Sequence, residues 1–343
     1  ELEDINVIMG TKNRDRIVDL VEEAKASGKL INIVDNIEND REFDELVIDE
    51  ESYMDRAYIK IQEGCNMFCT YCIIPYARGP ISSRNFDSII REAKRLSDNG
   101  FEELILTGIH IASYGKEKHG PYLIDVIEEI SKLDKVKRIR LSSIEPRLIN
   151  KEFLERLSKT KTCDHFHLSL QSGSDDVLKS MNRKYTTQDY KNRVELIRKY
   201  YPNAGITTDI ICGFPGESEE NFIETIEYVK DIGFSKIHIF PYSKRKGTPR
   251  ASFKNQVNGN IKKKRVKELG EIEEKLRFDF MKKQIGKVHE VLFEEPTEKN
   301  GFMSGYTTNY IRVRKEFNPD DISKIMKVKI IGMEDEELIG EVL

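Results

Sequence analysis

Three cysteines in one short loop are the residues of this sequence best suited to chemistry. Cys65, Cys69 and Cys72 occur with the spacing Cys-x3-Cys-x2-Cys. Three thiolates at this spacing can bind three irons of a cubane iron-sulfur cluster, which usually takes four cysteines. The next cysteine, Cys163, lies far along the chain. The fourth iron is therefore left open, and an open iron can chelate a small molecule through an amine and a carboxylate.

These cysteines have two other interpretations, a zinc knuckle and three structural cysteines. A zinc site usually closes its fourth position with Cys or His at regular spacing, and none follows Cys72 closely. A second metal site is suggested by the alternation of Cys163, His165 and His167 along a predicted strand. Such residues more often line a core or a barrel. Cys212 lies among apolar residues and is predicted to be a small buried hydrophobe.

Composition bounds the class of protein. Five cysteines in 343 residues, three of them in one loop, argue against a disulfide framework and for a reducing compartment. No apolar stretch approaches membrane-spanning length, and the first residues lack the regions of a signal peptide. These features predict a cytoplasmic protein with no membrane partner. The net charge of −4 hides basic runs late in the chain, but a charge run is usually only a solvated face.

Short β-rich runs alternate with helical patterns over the central part of the chain. Such repeated β-α units predict an α/β fold with a parallel sheet and outer helices, a partial (β/α)6 barrel related to the eightfold TIM barrel. In such a sheet the chemistry lies at the carboxyl ends of the strands. The cysteine loop follows the first predicted strand. The predicted strands are Ala57 to Gln62, Glu103 to Thr107, Arg138 to Ser142, His165 to Gln171, Ile206 to Cys212 and Lys236 to Pro241.

Three domains are predicted, over residues 1–50, 51–284 and 285–343. A charged helix from about Ile261 to Gln284, with a potential kink at Gly270, ends the second. From Lys287 the hydrophobic period switches to two, which predicts a small all-β barrel. The first fifty residues, with an acidic linker at their end, have too few elements for a self-contained fold. They are predicted to be the remnant of an N-terminal α/β domain.

Several runs together resemble the methylthiotransferase branch of the radical S-adenosylmethionine (AdoMet) enzymes. The resemblance covers the barrel and the C-terminal domain, which is similar to the TRAM RNA-binding module. Residues 109–115 and 142–146 are most similar to enzymes that act on N6-threonylcarbamoyladenosine in tRNA. Other branches act on isopentenyladenosine in tRNA or on a ribosomal-protein aspartate. The runs are residues 64–80, Ser83-Arg84, 106–110, 142–146, 167–173, 181–185, 207–209 and 213–217.

The resemblance implies the cofactors and partners. A [4Fe-4S] cluster on Cys65, Cys69 and Cys72 and bound AdoMet would generate a radical that abstracts hydrogen from C2 of the adenine ring. The family also holds a second [4Fe-4S] cluster on three N-terminal cysteines, and none precedes Cys65 here. As a fragment of a longer protein, residues 1–343 are therefore expected to cleave AdoMet without methylthiolating RNA on their own. The expected partners are tRNA and an electron donor such as flavodoxin or ferredoxin, with no DNA.

The resemblance also implies which residues contact AdoMet. Thr107 and Gly108 would present backbone to the methionine amino group, unless they form only a strand-to-helix turn. Ser169 and Gln171 would point the same way from one strand and bind ribose hydroxyls. Both pairs follow or end predicted strands, which places them at the mouth of the barrel.

Other candidates lie nearby. Arg183 would pair with the AdoMet carboxylate in bidentate fashion, and Gly213 would allow backbone to approach adenine, although a turn alone explains a glycine. Phe68 and Tyr71 would shield the cluster or pack on adenine. His110 would contact substrate or begin a helix.

The candidate RNA contacts are in the C-terminal domain. Arg312, Arg314 and Lys315 follow the aromatic Tyr310, and stacking combined with basic contacts is how proteins hold exposed bases. A function of another class, a non-catalytic RNA-binding protein with a structural cluster, is the alternative. The open fourth iron and the polar residues at the barrel mouth favour an enzyme.

Overall fold

The computed structural model describes residues 5–34, 37, 42–45, 55–296 and 301–343, with the side chains of residues 295 and 296 left undescribed. Most of the predicted acidic linker therefore lies outside the described residues. The strands are β1 Val7–Met9, β2 Ile31–Ile33, β3 Ala57–Glu63, β4 Ser82–Ser83, β5 Glu103–Gly108, β6 Arg138–Leu141, β7 His165–His167, β8 Gly205–Cys212, β9 Lys236–Pro241, β10 Val288–Pro296, β11 Phe302–Thr307, β12 Arg312–Glu316, β13 Ile325–Glu334 and β14 Glu337–Val342. The helices are α1 Ile17–Ser27, α2 Ile74–Arg78, α3 Phe86–Asp98, α4 Leu123–Ser131, α5 Lys151–Leu157, α6 Asp175–Ser180, α7 Thr187–Tyr200, α8 Glu219–Ile232 and α9 Gly259–Lys282.

The central strands form the predicted partial barrel. β3, β5 and β6 pair in parallel, and β7, β8 and β9 form a second parallel set. Two isolated parallel bridges join the two sets, one between Ile139 on β6 and Thr162 and one between Ile144 and Leu168. One core runs through both sets, from Ala57 on β3 to Ile237 on β9. The predicted partial (β/α)6 fold is confirmed, and its strands all point their carboxyl ends toward one edge.

One predicted strand is wrong in its extent. The pattern favoured a strand from His165 to Gln171, whereas β7 ends at His167. Gln171 has φ of 78°, in the left-handed region, so regular pleating cannot continue through it. Beyond β7 the chain forms only isolated parallel bridges, from Leu168 to Ile144 and from Gln171 to Ile210. The period-two argument that placed Ser169 and Gln171 on one face therefore does not apply.

Several of the outer helices begin at side-chain caps. The side chain of Asn85 accepts a hydrogen bond from the backbone of Ser88 at the start of α3, and Ser218 accepts one from Asn221 at the start of α8. Such caps satisfy backbone N–H groups that have no partner within the helix. None of the helices in the described part of the chain is long and apolar enough to span a membrane.

The C-terminal strands close into a five-stranded barrel in the order β10-β11-β12-β14-β13, which confirms the predicted small β-barrel. It has its own core, which includes Phe293 and Val328. Helix α9 connects the two cores, because its Leu269 is buried in the first and its Met281 in the second. The helix runs unbroken through Gly270.

The small barrel packs against the amino ends of the central strands, opposite the cysteine loop. Glu103 at the start of β5 is fully buried and is bound by Arg138 (2.5 Å) and Arg140 (2.9 Å). The same two arginines donate to backbone carbonyls of Tyr306 and Thr307 in the small barrel. The interface is therefore built on a buried ionic cluster.

Near the amino terminus, β1 and β2 pair in parallel beside α1. Leu20 and Ala24 on α1 are buried. The assignment of these elements to the remnant of a larger domain stays a prediction.

Candidate active site

The cysteine loop begins where β3 ends, and its first turn requires a glycine. Gly64 has φ of 68°, and a Cβ atom there would lie 1.8 Å from the carbonyl oxygen of Pro80. The backbone N–H of Cys65 donates to the carbonyl of Gly79 at 3.1 Å, and that of Cys72 donates to the carbonyl of Cys69 at 3.0 Å. The loop is thus folded tightly against the chain that follows it.

Residues after α6 hold the loop from the other side. The backbone N–H of Thr70 donates to the carbonyl of Met181 at 3.1 Å. The side chain of Asn182 donates to the carbonyl of Phe68 at 3.0 Å, next to a backbone with φ of 48° at Phe68. The run Met181 to Tyr185, which the sequence marks only by its resemblance to the family, therefore has a physical role in fixing the cysteine loop.

Arg183 lies directly behind the cysteines. Its Nη1 is 3.5 Å from Sγ of Cys69, while Nη2 donates to the carbonyl of Ser169 at 2.8 Å and Nε to the hydroxyl of Tyr185 at 2.8 Å. The guanidinium is thus held by backbone and a tyrosine, with one edge toward sulfur. A fixed cation at this point stabilises negative charge on the cysteine sulfurs.

The three cysteines suit an iron-sulfur cluster. Burial, with smaller contributions from the neighbouring Cys69 and Cys72, raises the pKa of Cys65 to about 11. Burial likewise raises the pKa of Cys72. Such thiols are neutral without metal, and a coordinating metal deprotonates them outright. The donor set, soft thiolates with a cation behind them, fits a cluster of net negative charge.

No three His, Cys, Asp or Glu side chains among the described residues converge on a point where one metal ion could bind. A cubane does not require such convergence, because each of its thiolates binds a different iron. The alternation of Cys163, His165 and His167 also forms no such group. His167 instead contacts the Thr207 hydroxyl at 2.9 Å and an oxygen of Asp209 at 3.1 Å.

A cavity of about 280 Å³ opens beside the cysteine loop at the carboxyl ends of β8 and β9. Tyr71 forms one wall and packs edge-on against Phe214, with ring centroids 6.2 Å apart. Phe68, by contrast, is 49% exposed. Of the two aromatics considered from sequence, Tyr71 is therefore the one that lines the cavity. The lining residues are Tyr71, Gln171, Asp209, Ile211, Phe240, Pro241, Tyr242, Ser243 and Arg245.

The residues predicted to contact AdoMet do not all lie around this cavity. Gln171 lines it, and Ser169 reaches the cysteines only through its carbonyl, which Arg183 binds. Thr107 and Gly108 end β5, where Gly108 pairs with Gln62 on β3.

Gly213 has different neighbours from those expected. Its backbone N–H donates to the carboxylate of Glu217, and a Cβ atom there would lie 2.4 Å from the side chain of Lys262. The close approach that requires a glycine is therefore made by a side chain of α9. A contact with adenine at this position stays a prediction, and the N–H that would have made it is already used.

The candidate RNA residues need correction. Arg314 forms ion pairs with Glu334 and Asp335 and its side chain is 7% exposed. Lys315 is buried and binds Asp321 at 2.6 Å. Tyr310 stacks on His165 and Tyr306 at the domain interface. Only Arg312 is substantially exposed, and it pairs with Glu337 at 2.8 Å. Arg314 lies on the same face of β12 as Arg312, opposite the core residue Val313. It is covered by the carboxylates of Glu334 and Asp335, which its position after an aromatic residue does not reveal.

Two supporting residues were missed from the sequence. Gln62, fully buried at the end of β3, donates to the carbonyl of Gly64 at 2.8 Å and accepts from the backbone of His110 at 2.6 Å. Tyr185 donates to the carbonyl of Ser169 at 2.5 Å. A polar residue at the end of an apolar strand was the available clue to Gln62.

A partial parallel barrel, with a three-cysteine loop and a small-molecule cavity at its carboxyl edge, defines a radical AdoMet enzyme. The family model of the radical SAM superfamily matches residues 59–229, and the model of the TRAM domain matches residues 282–343. One solved structure, a radical S-adenosylmethionine methyltransferase from Kitasatospora setae, is 17% identical with a TM-score of 0.49, over 57% of this chain and 38% of its own.

Curated relatives narrow the class. The threonylcarbamoyladenosine tRNA methylthiotransferase MtaB of Bacillus subtilis is 40% identical over 95% of this chain and 74% of its own length. The enzyme of the same name from Aquifex aeolicus is 37% identical over 96% and 79%. The tRNA-2-methylthio-N(6)-dimethylallyladenosine synthase of Lachnoclostridium phytofermentans is 35% identical over 99% and 75%. The chain belongs to the radical AdoMet tRNA methylthiotransferase family, which confirms the predicted enzyme class, the [4Fe-4S] cluster and AdoMet.

Proposed function

We propose that this protein adds a methylthio group to C2 of N6-threonylcarbamoyladenosine, next to the anticodon of tRNA. The observation that carries the proposal is the 40% identity, over 95% of the chain, to a threonylcarbamoyladenosine tRNA methylthiotransferase. Dimethylallyladenosine, the isopentenyl-bearing nucleoside, is the second candidate substrate, because relatives that act on it are 35% identical over almost the whole chain. We place the reaction in the cytoplasm, where tRNA is modified.

The residues of this chain hold and orient the reacting groups. Cys65, Cys69 and Cys72 would bind the cluster, and the cavity beside Tyr71 and Gln171 would receive AdoMet. When bound, the cluster and AdoMet supply radical chemistry, fed by a one-electron donor such as flavodoxin or ferredoxin. Protein groups in such enzymes supply binding, orientation and exclusion of water.

The substrate proposal is tested by following one hydrogen atom. Anaerobically reconstituted protein is mixed with AdoMet, reductant and an anticodon stem-loop that carries threonylcarbamoyladenosine deuterated at C2. Deuterium should appear in the 5′-deoxyadenosine that forms. A dimethylallyladenosine stem-loop labelled in the same way should transfer little. Transfer from the dimethylallyl substrate alone would move the protein to the second candidate, and transfer from neither would overturn the assignment to adenosine C2.

Arg183 provides a sharper test of the AdoMet site. Arg183→Lys keeps the positive charge but loses the planar fork that joins Cys69 to Ser169. We expect near-normal iron content and a fall in AdoMet cleavage of about ten- to hundredfold, the scale of one hydrogen bond to a charged group. The matched control is Arg198→Lys, because Arg198 also donates to backbone carbonyls but lies on α7. Equal activity of the two variants would contradict a role for Arg183.

The surface of the TRAM domain that meets tRNA is proposed to be β13 rather than β12. Lys327 and Lys329 are exposed on one face of this strand, and neither forms an ion pair in the described part of the chain. Their cross-strand neighbours include Glu290 and Glu341. Two exposed cations on one face of the strand, with no ion pair among the described residues, are better placed to bind phosphate than Arg314 and Lys315, which are already neutralised.

Lys327→Ala combined with Lys329→Ala should weaken tRNA binding and lower its salt dependence by about two units of log-log slope, about one for each lost phosphate contact. AdoMet cleavage without tRNA should not change. Arg314→Ala, the control on β12, should lower the stability of the barrel with little change in slope. The measurement is tRNA binding by filter retention across a salt series. An unchanged slope in the double variant would exclude this face of β13 as the tRNA-binding surface.

A further inference from the structure

Two loops after neighbouring strands bring polar groups to the edge of the cysteine loop. β5 and β6 are parallel, with Leu106 opposite Leu141 near their carboxyl ends, so the segments that follow meet at one edge. His110 and Lys116 follow β5, and Arg147 follows β6. We refer to His110, Lys116 and Arg147 as the basic rim.

His110 is fixed in place and has one ring nitrogen to spare. Its backbone N–H donates to Gln62 at 2.6 Å, and its Nδ1 lies 2.6 Å from the hydroxyl of Ser113. Nε2 is buried and has no hydrogen-bond partner among the described residues. Burial, followed by the charges of Lys116, Arg183 and Arg147, lowers the pKa of His110 to about 4. The ring is therefore neutral, and with Ser113 donating to Nδ1 its Nε2 carries a hydrogen that has no acceptor.

The two cations of the rim face the same space. Arg147 contacts the sulfur of Met67, in the cysteine loop, at 3.4 Å and binds Glu145 at 2.7 Å, and its side chain is 45% exposed. Partial burial lowers the pKa of Lys116, whereas Glu145 raises it. Glu145 can offset only one of the two positive charges, so the rim keeps a net positive charge beside the cluster.

We propose that the basic rim binds the threonylcarbamoyl substituent of the substrate, with Lys116 and Arg147 on its carboxylate and His110 Nε2 donating a hydrogen bond to one of its oxygens. This inference rests on the proposed function. A charged acceptor would give Nε2 of His110 the partner that it lacks among the described residues, and it would neutralise the positive charge that Glu145 does not offset. The dimethylallyl group offers no oxygen to any of the three, and a site built to hydrogen-bond a polar group discriminates strongly against an analogue that lacks it.

The test compares three anticodon stem-loops bound to the full chain, reconstituted with its cluster. They carry threonylcarbamoyladenosine, its methyl ester, or dimethylallyladenosine. The ester keeps every phosphate and removes only the carboxylate charge, so the acid-to-ester ratio of dissociation constants isolates the rim from general RNA binding. We expect the native protein to prefer the acid by about tenfold or more, the scale of one charge-assisted hydrogen bond.

Lys116→Met and Arg147→Met should each remove most of that preference, and His110→Leu should weaken acid and ester alike. Lys159→Met is the matched control, because Lys159 is an exposed lysine just after α5, on the side of the barrel where β6 and β7 begin. Circular dichroism and iron content show whether each variant is folded. A preference that survives both cation variants, or an ester that binds as tightly as the acid, overturns the inference while the proposed function stands. Tighter binding of the dimethylallyl stem-loop by the native protein overturns the proposed function instead.

Discussion

Cys69→Ala should abolish AdoMet cleavage and most iron binding. Cys69 is the most deeply buried of the three cysteines and the one that Arg183 contacts at 3.5 Å. Its loss leaves two thiolates, too few to hold a cubane that normally has three or four protein ligands. Native protein reconstituted under anaerobic conditions should contain about four irons per chain, as the cluster type requires. The variant should retain little iron, and 5′-deoxyadenosine should fall to the background of the reductant alone.

The matched control is Cys212→Ala. Cys212 is a buried free cysteine on β8 and lies outside the loop, so its replacement should preserve both iron and cleavage. Zinc in place of iron after anaerobic purification, with no iron loaded on reconstitution, would contradict the cluster assignment. So would full iron content in the Cys69 variant.

Glu103→Gln should cause the largest loss of stability of any single change considered for this chain. The carboxylate is fully buried between Arg138 and Arg140, with Arg56 at 3.8 Å. An amide of the same shape leaves those arginines without a negative partner, and breaking a buried ion pair costs about 3–5 kcal/mol. The free energy of unfolding in urea should fall by this order. Limited proteolysis should release the small barrel early, because the same arginines hold its backbone.

The pH dependence of the native protein gives an independent check. Burial alone would raise the pKa of Glu103, but Arg140 and Arg138 outweigh it and the net pKa lies below the ordinary value. A carboxylate with a lowered pKa contributes stability above the pKa of the unfolded chain, about 4.3 for Glu. That contribution is lost as the pH falls below this value through the folded pKa. The native protein should therefore lose stability in this range, and Glu103→Gln should be less sensitive to acid there. Equal acid sensitivity of the two proteins would contradict the role of Glu103.

Local patterns predicted the parts of this molecule that depend on neighbours in sequence. The spacing of Cys65, Cys69 and Cys72 identified the cluster loop because all three ligands come from one turn. The alternation of β and α patterns predicted the barrel, since each unit buries its own apolar face. The charged helix predicted from about Ile261 to Gln284 lies at Gly259–Lys282, so its ends were placed to within two residues.

Features that depend on distant neighbours were not predictable in the same way. The left-handed backbone at Gln171 ends a strand that propensity alone extends. Arg314 is attractive as an RNA contact until its carboxylate partners on the next hairpin are known. The role of Asn182 in holding Phe68 crosses more than a hundred residues of sequence, so only the folded chain reveals it.

The central claim, methylthiolation of threonylcarbamoyladenosine in tRNA, is tested most directly by mass spectrometry of nucleosides from the tRNA of cells that lack the gene. We predict that in these cells the 2-methylthio derivative of threonylcarbamoyladenosine disappears while its unmethylthiolated precursor accumulates. The 2-methylthio derivative of dimethylallyladenosine should persist, and restoring the gene with Cys69→Ala should not rescue the loss. The proposed substrate would be contradicted if the 2-methylthio derivative of threonylcarbamoyladenosine stayed at its normal level while that of dimethylallyladenosine was lost.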